Sequence, residues 1–223
     1  TLSLFNKIKL KLSEIPKKKI LGVCYFEKFH EAMTLTREMV KLKPTTVELM
    51  DKNLLDLAKE IPIYADGIKK YVIGDPKAVL MVEFIDNDLN LINKKIKDLE
   101  NLVKSQNKNN NFSYFKEIKD QKEIFEIRKA GLNILMSMKG DKKPVAFIED
   151  CAVTLDHLAE YTTKSKEIFK KYDTSGMFYA HASVGTLHVR PVLNMKSDKD
   201  IKNMKKIAEE AFEMVKQLSL IHI

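Results

Sequence analysis

Strand-like apolar segments alternate along this 223-residue chain with helical stretches, joined by short polar connections that are poor in glycine. Residues 7–12 alternate strictly between lysine and apolar side chains and read as a half-buried strand ended near Pro16. Further strands are expected over 20–26, 45–49, 78–85, 112–118 and 145–153, and a strand pair within 177–192. Helical spacing marks 30–42, 88–104, 121–138, 156–172 and 200–218, with a short helix capped by Asn53 that carries Leu54, Leu57 and Ala58. The Gln- and Asn-rich stretch 105–111 reads as a solvated turn. The seven glycines are scattered, and none forms a phosphate-binding loop or dinucleotide fingerprint. The expected fold is α+β: a mainly antiparallel sheet with ferredoxin-like repeats, covered by helices on one face, with a doubly wound α/β sheet as the competitor.

Composition narrows the class. Apolar content of 44% and charged content of 31% are ordinary for a soluble globular protein. No apolar run approaches the roughly 18 residues of a membrane span, and the first residues lack signal-peptide organisation. Cys24 and Cys151 are too few and too far apart for a disulfide framework, so a reducing, cytoplasmic setting fits. The net charge of +8 comes from dispersed lysines without interleaved aromatics, which argues against nucleic acid as a partner.

His181-Ala-Ser-Val-Gly-Thr-Leu-His188 carries the clearest chemistry. Residues seven apart on one unbroken strand face opposite sides, so these imidazoles converge only if the chain bends between them. Gly185 supplies the flexible residue for that bend. A converged pair suits a divalent metal, or acid–base work near neutral pH. The alternative is a hairpin with two unrelated histidines. Glu149 and Asp150 are adjacent and face opposite sides, so they do not form an acid–base couple. Glu48, on a short apolar strand, has the same standing. His30 and His157 read as surface residues, and Met136 and Met138 as helix core filling.

Phe147-Ile-Glu-Asp-Cys-Ala-Val153, followed by Tyr179-Ala-His-Ala-Ser-Val-Gly-Thr-Leu-His-Val-Arg-Pro191, resembles the C-terminal substrate domain of FAD-linked oxidases and dehydrogenases of 2-hydroxy acids. That group includes glycolate oxidase subunits, D-lactate dehydrogenases and D-2-hydroxyglutarate dehydrogenases. Val47-Glu-Leu-Met-Asp51 and Glu126-Ile-Arg-Lys-Ala-Gly131 are similar to family segments and occur in the same order. The usual family pattern is His-x-Gly-Asp-Gly-Asn-x-His. His181, Gly185 and His188 match it, while Ser183, Val184 and Thr186 stand where it has Gly, Asp and Asn. The wording is closer to long relatives fused to iron–sulfur modules.

The resemblance implies an FAD-dependent oxidation of a small anionic 2-hydroxy acid to the 2-keto acid, with hydride passing to flavin. It implies His181 and His188 as ligands of a divalent metal, zinc or manganese, and Arg128 as the grip on the substrate carboxylate. Arg190, two residues past His188, is the second carboxylate candidate. Residues 1–16 would be the last strand of a preceding FAD-binding domain, 17–218 the substrate domain, and 219–223 a non-native or truncated tail in which His222 is not the family's catalytic histidine. FAD would be held mainly by that upstream domain, so the domain alone would be inactive. The family's metal-ligand glutamate and catalytic histidine would lie beyond the last helix. An iron–sulfur electron acceptor, fused or separate, would complete the path, in the cytoplasm or peripheral to the inner membrane. A non-redox metal- or ligand-binding α+β module is the rival reading.

Overall fold

The computed structural model describes residues 6–12, 18–106, 111–149 and 151–218. The first half runs β1 (Lys18–Phe26), α1 (Phe29–Lys41), β2 (Thr46–Asp51), α2 (Lys52–Lys59), α3 (Pro62–Tyr71), β3 (Ala78–Asp86), α4 (Leu89–Gln106) and β4 (Asn111–Phe115). A helical connection follows, α5 (Ile118–Lys129) and α6 (Gly131–Met136). The second half is β5 (Lys143–Pro144), β6 (Cys151–Ala152), α7 (Leu158–Lys171), β7 (Gly176–His181), β8 (Thr186–Leu193) and α8 (Asp198–Gln217).

Every strand pairing among the described residues is antiparallel. The sheet order is β4-β1-β3-β2-β7-β8-β5, with β6 also paired to β8. The first half is therefore a ferredoxin-like βαββαβ unit with α2 and α3 inserted before its third strand. Beyond the β2–β7 seam, β6, α7, β7, β8 and α8 repeat the same arrangement. Antiparallel pairing throughout excludes the doubly wound alternative.

Helices cover both faces of the sheet, not one. Ile20, Cys24, Leu80 and Val82 pack with apolar residues of α1, α4, α7 and α8. Leu21, Val23, Val79 and Met81, the alternate residues of the same strands, pack with α2, α3, α5 and α6. β1 and β3 read as unbroken apolar runs because each is buried on both sides.

Several local expectations are corrected. Residues 7–12 form no strand despite their alternation; Ile8, Leu10 and Leu12 are exposed and no strand partner lies beside them among the described residues. The reading of 1–16 as a strand of a preceding domain otherwise falls outside the described residues, as do 219–223, Asp150 and most of the 105–111 turn. The expected 145–153 strand shrinks to Cys151–Ala152. Val145 and Val153 each donate a backbone bond to the β8 edge, at Pro191 and Gly185, and the chain leaves the edge between them. The helix expected over 121–138 is two helices that meet at Ala130, where Gly131 packs against Leu54. Helix α3, with Pro62 in its first turn, was not anticipated. Met136 is exposed, whereas Met138 does pack against the second core.

The cap of α2 is Asp51 rather than Asn53. Asp51 Oδ1 accepts from Leu54 N at 2.9 Å, while Oδ2 accepts from Phe178 N at 2.9 Å across the seam. Burial pushes its carboxyl up to about 6, against the opposing effect of those two N–H donors and of Lys166. Between the ordinary aspartate value of 3.8 and about 6 the folded state binds more proton than the unfolded one. The Asp51 contribution therefore falls as pH rises through that window, by on the order of 3 kcal/mol. In urea titrations the unfolding free energy of wild type minus that of Asp51→Asn should fall by about that amount from pH 4 to pH 7. A difference that is constant or rises would contradict the assignment.

Candidate functional site

Strand β7 ends at His181, residues 182–184 form one tight turn, and Gly185 occupies the left-handed region at φ 69° before β8 begins. The hairpin register pairs Tyr179 with His188 and Met177 with Arg190. Tyr179 and His181 share a face as alternate residues, so His188 and Arg190 join them on it. The bend thus brings together the two histidines that the spacing alone left ambiguous. Their ring centroids lie 5.3 Å apart and nearly perpendicular. His188 stacks on Tyr179 at 4.6 Å.

Strand β2 adds a further side chain to this face. Glu48 is the register partner of His181, and its Oε1 lies 2.9 Å from His181 Nδ1. Its Oε2 accepts from Arg128 Nη2 at 2.8 Å. Arg128 reaches in from α5, is 8% exposed, and also donates through Nη2 to Ala180 O at 3.1 Å. Burial pulls its guanidinium below the ordinary arginine value, opposed by Glu48. The guanidinium carbon sits 5.1 Å from the Tyr179 ring centre.

The two arginines differ in what their donors face. Glu149 covers the side edge of Arg190: Nη2 donates to Oε1 at 3.0 Å, and Nε lies 2.6 Å from Oε2 outside hydrogen-bond alignment. Arg128 uses Nη2 alone, and its buried Nε has no hydrogen-bond partner among the described residues. A buried, unsatisfied guanidinium N–H is costly unless a ligand meets it. A cavity of about 420 Å³ is lined by Lys19, Thr46, Glu48, Glu83, Arg128 and His181 among others. A wider cavity of about 540 Å³ between α3, α5 and α6 holds no histidine or arginine. His30 and His157 are exposed, as expected, and lie outside this cluster.

Comparisons with known proteins place the chain in a family. Residues 15–219 match the model of the FAD linked oxidases, C-terminal domain. The chain belongs to that family. The domain is 26% identical over 223 residues to D-2-hydroxyglutarate dehydrogenase of Haemophilus influenzae, covering 96% of this chain and 22% of that protein. It is 28% identical over 193 residues to the mitochondrial D-lactate dehydrogenase [cytochrome] of Arabidopsis thaliana, covering 84% of this chain and 31% of that protein. Among solved structures, 4-ethylphenol oxidase from Gulosibacter chungangensis shares the fold, with a TM-score of 0.59, 11% identity, and coverage of 89% of this chain and 44% of that one. The family domain thus spans about a fifth to a third of the two curated relatives.

Sequence reasoning assigned no role to Tyr179. Its position two residues before His181 in a strand was the available signal. Among the described residues no three His, Cys, Asp or Glu side chains group to hold a metal, and no helix is long and apolar enough to cross a membrane.

Proposed function

We propose that this family domain is the substrate domain of an FAD-dependent dehydrogenase that oxidises a small 2-hydroxy acid of the lactate, glycolate or 2-hydroxyglutarate type to the 2-keto acid. The observation that carries the reading is the placement of a buried arginine with open donors beside two converged imidazoles on one sheet face. The relatives named above for such substrates support it.

Arg128 would meet the substrate carboxylate with guanidinium N–H groups that Glu48 and Ala180 leave unbonded. Arg190, engaged by Glu149, is the weaker candidate. His181 and His188 suit a divalent cation such as zinc or manganese as two of its ligands, with further ligands coming from outside the described residues. Tyr179 holds the His188 ring plane by stacking. When bound, flavin accepts the hydride and the cation polarises the substrate hydroxyl. The FAD domain of the complete enzyme would be the partner, with an iron–sulfur acceptor beyond it, in the cytoplasm or at the inner membrane.

Anaerobic mixing of the complete flavoenzyme with each hydroxy acid should bleach the flavin with one member of the set. Replacing both His181 and His188 with alanine should remove the metal and most of that bleaching. Metal content unchanged in the double variant would refute the ligand assignment, and no bleaching by any 2-hydroxy acid would refute the substrate class.

A further inference from the structure

Glu48 hydrogen-bonds with one carboxylate to both an imidazole and a guanidinium of the cluster. Its carboxylate is 13% exposed, bonded through Oε1 to His181 Nδ1 at 2.9 Å and through Oε2 to Arg128 Nη2 at 2.8 Å. We propose that Glu48 is a positioning residue that fixes the tautomer of His181 and, with its other oxygen, the orientation of Arg128. The inference rests on the functional reading above only for what the two positioned groups then bind.

A carboxylate offers acceptors alone, so a neutral His181 that meets Glu48 carries its proton on Nδ1. The lone pair is then on Nε2, the nitrogen turned away from Glu48 and the one free to meet a cation. A carboxylate behind a ligating histidine has this effect at metal sites, orienting the ring and raising its basicity. The register makes the contact local, because Glu48 and His181 are directly opposite on β2 and β7. The same carboxylate holds a guanidinium on α5, and Nη2 of that guanidinium also grips Ala180 O, the carbonyl preceding His181. One carboxylate on β2 thus orders groups from two other elements, β7 and α5. An amide could not hold the same His181 tautomer, since it has one acceptor end and one donor end.

The test reads the tautomer rather than turnover. In ¹⁵N-labelled chain, above the pH range in which imidazole protonates, ring correlation spectra should show His181 protonated on Nδ1. His181→Asn assigns the signal. In Glu48→Gln the amide oxygen should stay with the Arg128 charge and its NH₂ should face His181, moving the proton to Nε2. Zinc, used as the probe cation, should bind that variant about 10- to 100-fold more weakly. Glu48→Asp, which keeps both acceptors, should restore the Nδ1–H form, and Glu149→Gln should leave it in place. A role confined to neutralising Arg128 would not move the tautomer.

A wild-type His181 protonated on Nε2 would overturn the proposal even if Glu48→Gln failed to fold. So would an Nδ1–H form unchanged in Glu48→Gln. If the tautomer moves as expected while zinc binds neither protein, the positioning role stands and the metal reading falls.

Discussion

Arg128→Ala should lower kcat/KM of the flavoenzyme carrying this domain by about 30- to 1,000-fold, on the order of 2–4 kcal/mol of transition-state binding. The expectation rests on the open donors of a buried guanidinium. Nη2 is held by Glu48 and Ala180, while Nε has no protein acceptor among the described residues. Arg128→Lys should recover little, because an ammonium keeps the charge and loses the planar fork. Arg190→Ala is the control, and should cost less because Glu149 already occupies its side edge. Removing Arg128 also strips Glu48 of its counter-charge, so folding of the variant is checked by thermal melting alongside kinetics. If Arg128→Ala leaves kcat/KM unchanged while Arg190→Ala lowers it sharply, the anchor moves to Arg190.

The largest expected effect on stability is at Gly185. At φ 69° an L side chain is strained, and a Cβ there would lie 1.9 Å from the carbonyl oxygen of Val153. Backbone, not a flexible side-chain tip, is the obstacle, so the hairpin or the β6 edge must shift. Gly185→Ala should cost on the order of 3 kcal/mol, lowering Tm by roughly 6–12 °C in a domain of this size. Gly74→Ala separates strain from collision, since Gly74 has a similar φ of 72° with nothing within 4 Å of the added Cβ. That variant should lose only about 1 kcal/mol. Equal losses at the two positions would show that contact with Val153 plays no part.

Much of this arrangement was legible in the chain, for identifiable reasons. The hairpin was readable because two imidazoles seven apart around a glycine require a turn to share a face, and Gly185 makes that turn. The antiparallel α+β class followed from element order and the lack of a phosphate loop. The second helical layer was hidden in plain composition: β3 is apolar at consecutive positions, which signals burial on both faces. Residues 7–12 show the converse error, because alternation is a statement about one chain and a strand needs a neighbour to pair with. The resemblance points to Arg128, but its burial against Ala180 comes from packing that the helix pattern alone does not show. The split between the two arginines could not be read at all, since it depends on which carboxylate each one meets across more than 40 residues of chain.

The β2–β7 seam has a consequence for how the cluster comes into being. Among the described residues three register pairs, Glu48–His181, Leu49–Ala180 and Met50–Tyr179, join the two ferredoxin-like halves there, with Asp51 bridging to Phe178 N. Glu48 belongs to one half, the histidines to the other, and Arg128 to the helices between them. Neither half on its own would contain the constellation, however well it folded. Amide hydrogen exchange at Leu49 and Ala180 would therefore report the docking of the halves, and chemistry could begin only in molecules where that docking is complete.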